Sequence, residues 1–153
     1  MRSSINRSEL AWTCDLALGY RFDSVATDGT QFDRSDHTWY LGLTCPLINP
    51  ARPDRYLILP DKELTFKFLG QWELDKYRNG NLIDWDEDKR SDLITTLTFQ
   101  ISQRLIEDPG GTDMILHLAI EWMNADSNVT QRNGVSPLTF ERVVYGVQLE
   151  WLW

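Results

Sequence analysis

The chain has 153 residues and 17.8 kDa, with a net charge of −8 and a pI near 4.7. That argues against nucleic acid as a partner, because a phosphate backbone calls for a basic face. With 42% hydrophobic and 25% charged residues the composition is that of one ordinary domain, and no run approaches the roughly 18 apolar residues of a membrane-spanning helix. A membrane β-barrel passes these tests, since only every second strand residue faces lipid and a mean hydropathy of −0.39 is compatible with it.

Residues Met1 to Arg7 contain no apolar segment of the kind that directs secretion. An exported protein is therefore expected here as a mature form or as a piece of a longer chain, with a soluble cytoplasmic protein as the alternative. From Leu10 the sequence alternates: Leu10, Trp12, Cys14, Leu16, Leu18, Tyr20 and Phe22 share one face, opposite Ala11, Thr13, Asp15, Ala17, Gly19 and Arg21. Such period-two patterning predicts a β-strand with one oily and one polar side. A second strand is expected from about Thr38 to Leu47, with Trp39, Leu41, Leu43, Cys45 and Leu47 on the oily side. If this first hairpin is centred between Gly29 and Thr30, Cys14 falls opposite Cys45, beside the pairs Leu16/Leu43, Leu18/Leu41 and Tyr20/Trp39. A cross-strand disulfide is then geometrically open, and two apolar-facing free thiols are the other possibility.

The connection 48–62 carries Pro50, Pro53 and Pro60, and its apolar core Tyr56-Leu57-Ile58-Leu59 is shorter than the roughly 9 residues a membrane strand needs. An irregular excursion or edge segment is expected there. The third strand sets Leu64, Phe66, Phe68, Gly70, Trp72 and Leu74 against Thr65, Lys67, Leu69, Gln71, Glu73 and Asp75. In the fourth, Leu93, Leu97, Phe99, Ile101 and Leu105 face away from Thr96, Thr98, Gln100, Ser102 and Arg104. The tight turn 106–111, with Pro109, Gly110 and Gly111, leads to the fifth, where Met114, Leu116, Leu118, Ile120 and Trp122 oppose His117, Ala119 and Glu121. The sixth runs from Val143 to the final Trp153. Residues 23–37, 78–90 and 125–138 are polar and rich in Gly, Asn and Asp, so short turns at one end face long loops at the other.

The last strand, with Tyr145, Val147, Leu149, Trp151 and Trp153 on one face and an aromatic final residue, resembles the C-terminal signal of bacterial outer-membrane β-barrels. Together with Asn124 to Asn128 and Phe140-Glu141-Arg142 it is similar to the last loop and strand of porin-like barrels, over about the last thirty residues. The resemblance implies an all-β, antiparallel up-and-down transmembrane β-barrel in the bacterial outer membrane, acting as a porin-like channel or a structural barrel without catalysis. It also implies lipid, lipopolysaccharide and the barrel-assembly machinery as partners, the last through the C-terminal strand. The connection 48–62 would then be periplasmic.

The residues supply two sets of candidates for that reading. Aromatic rings bracket the aliphatic ones, with Trp12, Phe66, Trp151 and Trp153 at the short-turn end and Tyr20, Phe22, Trp39, Trp72, Trp122 and Tyr145 at the loop end, as amphipathic rings do at headgroup level. On the other face Arg21, Lys67, Glu73, Arg104, His117, Glu121, Arg142 and Glu150 form an expected luminal network, in either a packed lumen or a wet pore. With the last hairpin centred near Gln131 and Arg132, Glu121 would face Arg142, and Arg142→Leu would lower stability. Six strands are too few for a closed membrane barrel, which begins at about eight. The expectation is a portion of a larger barrel, completed by strands outside this sequence or by further copies.

Other chemistries find little support. Only His37 and His117 could serve as a base; His117 points to the polar face near Gln100 and Gly146 with no serine evidently beside it, and no Cys/His cluster has zinc-ligand spacing, so no cofactor or metal is expected. Asp23, Asp28, Asp33 and Asp36, and Asp84, Asp86, Glu87 and Asp88, read as solvated loop acids, with divalent cations shared with lipopolysaccharide as the alternative. Asn128-Val129-Thr130 matches a glycosylation sequon that means little in a bacterium. The rival fold is a soluble lipocalin-like barrel, with the apolar face turned inward around a small apolar ligand.

Overall fold

The computed structural model describes residues 13–26, 33–80, 89–107, 111–128 and 139–153. Trp12, Asp28, Asp84, Asp86, Glu87, Asp88, Pro109, Gly110 and most of the sequon lie outside these residues, as do the expected centres of the first and last hairpins. Eight strands and, among the described residues, no helix are present: β1 (Asp15–Val25), β2 (Arg34–Pro46), β3 (Ile48–Asn49), β4 (Arg52–Tyr56), β5 (Leu64–Gly80), β6 (Lys89–Glu107), β7 (Asp113–Ser127) and β8 (Phe140–Leu152). Six of them form one antiparallel meander in the order β1-β2-β5-β6-β7-β8, and β3 pairs with β4 in a separate small hairpin. The sheet is open. Strand β8 does not return to β1, so among the described residues each keeps one edge without a sheet partner.

The alternation explains the strands, since each residue can present its side chain to only one face. It carries further than the loop boundaries suggested by composition. Asp23, Asp36 and Ser127, expected in loops, are paired strand residues, and they continue rows that hold Asp75 and Asp92. Polar composition marks which residues can meet water, and a β-ladder tolerates them as long as the backbone hydrogen bonds continue.

The excursion differs from the expectation in detail. Its paired segment is Arg52–Tyr56, whereas Leu57, Ile58 and Leu59 are exposed and lie beyond the strand. Its anchor is Ile48, which is buried next to the base of β5, where Leu64 is 0% exposed. Backbone bonds from Leu47 N–H to Leu64 O (2.8 Å) and from Arg104 N–H to Glu63 O (2.8 Å) tie its two ends to the sheet. Gln103, buried beside them, donates from Nε2 to the carbonyls of Glu63 (3.0 Å) and Arg104 (2.9 Å).

Elsewhere the two faces differ sharply in exposure. On the apolar face Leu18 and Val147 are each 75% exposed, and Leu16, Phe22, Trp39, Phe99, Leu118 and Trp151 are also open. On the polar face Asp36, Thr38, Asp75, Tyr77, Asp92, Ala125 and Ser127 are buried. Among the described residues no other strand packs on this part of the sheet from either side, and we read the difference as curvature, with side chains crowded on a concave face and splayed on a convex one. The sheet curls around its polar side chains.

Candidate functional site: the polar face

The polar face carries three groups of side chains, at successive heights along the strands. At the short-turn end Arg104 on β6 reaches Glu63 (3.0 Å), Asp113 (3.2 Å) and Glu107 (3.9 Å). It gathers the start of β5, the end of β6 and the start of β7 at the point where the ladder slips between Arg104 and Ile106, with Leu105 as the extra residue. Tyr56 is nearby, and burial first, then the neighbouring Glu63, pushes its phenol above its ordinary range. Above Arg104 a depression of about 250 Å³ is lined by Glu63, Thr65, Ser102, Arg104, Ile115 and His117.

The middle group centres on His117, which faces Ser102 on β6 and Gln148 on β8. Its Nδ1 lies 2.8 Å from Ser102 Oγ and 3.0 Å from Gln100 Nε2, and its Nε2 lies 3.0 Å from Glu150 Oε2. Sequence spacing alone puts no serine beside His117; the bulge at Leu105 helps set the register that brings Ser102 directly across from it. Serine, histidine and a carboxylate in line are the parts of a nucleophile relay. Here, however, the amide of Gln100 approaches the same Nδ1, so the lone pair a serine proton would need is shared. The arrangement is a network joining three strands.

At the loop end a row of acids crosses the sheet, with Asp36 opposite Asp75, Asp75 opposite Asp92 and Asp92 opposite Ser127. Arg34 lies 3.0 Å from Asp36 and 3.7 Å from Asp75. Arg90 pairs with Asp92, which also accepts from Ser127 Oγ at 2.5 Å, and the Arg90 guanidinium stacks over the Tyr77 ring, 4.4 Å from its centroid. Glu73 accepts from Gln71 Nε2 at 3.3 Å. This row lies loopward of the Trp39 and Trp72 rings, outside the segments bracketed by aromatics. Burial first, then the Asp36 carboxylate, pushes the Asp75 pKa up to about 6 against the opposing pull of Arg34. A carboxylate whose pKa is raised on folding holds a proton that the unfolded chain has already released. Stability should therefore fall as pH rises from about 4 to about 6, and Asp75→Asn should flatten that part of a thermal-unfolding profile recorded in chelator.

Of the remaining predicted polar-face residues, Arg21 pairs with Asp23 at 2.6 Å and Lys67 is exposed between Thr44 and Gln100. Glu121 faces Val144 and Arg142 faces Met123, so the last hairpin sits two residues out of the expected register. The parity is unchanged and the two charges still meet diagonally at 3.3 Å. Both are substantially exposed, and such pairs contribute little. Arg142→Leu is accordingly expected to cost less than about 1 kcal/mol. Arg104→Met, which strands several carboxylates around a half-buried site, should cost roughly 1–3 kcal/mol in denaturant titrations of the two variants.

On the apolar face Tyr20, Phe22, His37 and Trp39 cluster at the loop end, with the Tyr20 hydroxyl 2.7 Å from His37 Nδ1 and Phe22 5.1 Å from the His37 ring. Trp122 Nε1 donates to Glu141 at 2.6 Å. Trp72 folds over Gly70, where an added Cβ would lie 2.7 Å from the indole. Phe66 tilts against Phe99, and Tyr145, Trp151 and Trp153 are exposed along β8 and just beyond it. Cys14 and Cys45 form a disulfide, Cα atoms 4.3 Å apart, and the adjoining ladder has Leu16 opposite Leu43 and Tyr20 opposite Trp39. Comparison with protein-family models, curated proteins and solved structures finds no match for this chain.

Proposed function

We propose that the chain is a portion of a transmembrane β-barrel of a bacterial outer membrane, serving as a porin-like channel or structural barrel and not as an enzyme. The observation that carries this reading is the slant of the two aromatic belts from β5 to β8. In the ladder Trp72 shares a row with Thr95, Asn124 and Glu141, yet the loop-end ring on β8 is Tyr145, four positions further down. Phe66 shares a row with Ile101, Leu118 and Val147, yet the matching ring on β8 is Trp151, again four positions down. Trp122 falls between, two positions below the Trp72 row. From β5 to β8 both belts thus descend together across three strand spacings, whereas across β1, β2 and β5 the rings of Tyr20, Trp39 and Trp72 share one row. At about 3.3 Å per residue and about 4.8 Å between strands, this makes a tilt of roughly 40°, the value for membrane barrel strands. A flat slab crossing tilted strands requires that slant; a water-bathed sheet does not.

The exposed Trp/Leu face and the polar concave face support the same orientation, and they weigh against the lipocalin-like alternative, which needs the apolar face inside. The free edges of β1 and β8 would leave backbone groups unpaired in lipid at several kcal/mol each, so missing strands or further copies complete the barrel. Lipid, lipopolysaccharide and the barrel-assembly machinery are the partners this reading carries. Its test is refolding into detergent, followed by heat-modifiable gel mobility, native mass and planar-bilayer conductance. A folded, monodisperse monomer in detergent-free buffer would overturn it.

A further inference from the structure

We propose that Asp36, Glu73, Asp75 and Thr38 form a divalent-cation site, suited to Ca²⁺, at the loop end of the polar face. The carboxylate oxygens of the three acids lie within 4.8 Å of one another. Ca²⁺ holds oxygen ligands at about 2.3–2.6 Å, so opposed ligands around one ion stand up to about 5 Å apart, and this spread fits. The ladder explains the gathering: Asp36 faces Asp75, Thr38 faces Glu73, and all four side chains share one face of two adjacent strands.

Charge alone would leave this an acidic cluster. The second observation is Thr38, which is 0% exposed and whose Oγ1 has no hydrogen-bond partner. It stands across from Glu73 and one same-face position from Asp36, on the face that carries the three carboxylates. The Oδ1 atom of Asp75 is likewise buried without a hydrogen bond, while Asp36 Oδ1 has only the Arg34 guanidinium, 3.0 Å away. Buried polar atoms in this state are costly and need a partner. Arg34 supplies one positive charge against three negative ones, and it sits beside Asp36 and Asp75. An oxygen-seeking dication would satisfy both the missing contacts and the remaining charge, and an all-oxygen donor set selects a hard ion over zinc. The site rests on the polar face alone and does not depend on what covers the apolar one.

Calorimetric titration of the folded 153-residue chain with CaCl₂, and in parallel with MgCl₂, tests this. One Ca²⁺ site is expected, with Mg²⁺ weaker, and Ca²⁺ should raise the thermal midpoint. Glu73→Gln and Asp75→Asn should each weaken Ca²⁺ by about tenfold or more, since ligand charge sets affinity. Thr38→Val, nearly isosteric and at home in a strand, removes only Oγ1 and should weaken binding several-fold while keeping the fold. Arg34→Gln, which removes the competing cation, should tighten it. No heat and no change of midpoint at millimolar Ca²⁺ would overturn the proposal, as would unaltered affinity in the folded Thr38→Val and Glu73→Gln proteins.

Discussion

Arginine at Leu118 should cost about 2–4 kcal/mol of folding in lipid, and the same substitution toward either end of the apolar face should cost about 0–1 kcal/mol. Leu118 stands midway between the belts, in the row of Phe66 and Val147, with its side chain open on the convex face. A guanidinium there must either lose its water or deform the bilayer. At Tyr20 or Trp151 it can reach the headgroups. Thr98→Arg, on the polar face across from Glu121, is the control and should fold normally. Folded fractions in vesicles, read by gel mobility over a denaturant series, give the profile. The depth dependence is the discriminating feature, because in a soluble barrel lined by these residues arginine at Trp151 would be as damaging as at Leu118. A flat profile would sink the membrane reading.

Reduction of the Cys14–Cys45 bridge should lower stability by roughly 3–4 kcal/mol in the chain-entropy model, for a sequence separation of 31 residues. The site makes the effect matter. Strand β1 pairs with β2 and with no other strand of this sheet, so the disulfide closes one of the two edge hairpins, where fraying begins. Denaturant midpoints with and without reductant, compared with the Cys14→Ser/Cys45→Ser protein, measure it. Thiol titration of the denatured, unreduced chain checks the premise: two reactive thiols would mean that no bridge exists.

The excursion and the polar face show where reading the sequence stops. Period-two alternation identified the six long strands and assigned their faces, and a first hairpin centred between Gly29 and Thr30 has the register that the ladder shows from Asp15 to Val25. For the last hairpin the same reasoning was two residues out. Alternation fixes parity, and a shift of two preserves it, so Glu121 and Arg142 stay on the correct face while losing direct opposition. Proline content flagged 48–62 as irregular but could not tell that Ile48 is its buried anchor and that Leu57 to Leu59 are exposed.

The candidate cation site was visible only as separate acids. Asp36 looked like one of several loop carboxylates, and Asp75 like the last polar residue of a strand, since nothing local links positions so far apart in the chain. What the sequence determined alone is what a two-residue period can encode: strands, faces, and aromatic rings at both ends of the apolar side. The tertiary structure decided which residues stand side by side, because register across strands depends on turns, on the bulge at Leu105 and on the ladder as a whole. It placed Asp36 against Asp75 and Ser102 against His117, and it left β1 and β8 as open edges, since pairing is a property of two chain segments and neither carries it by itself.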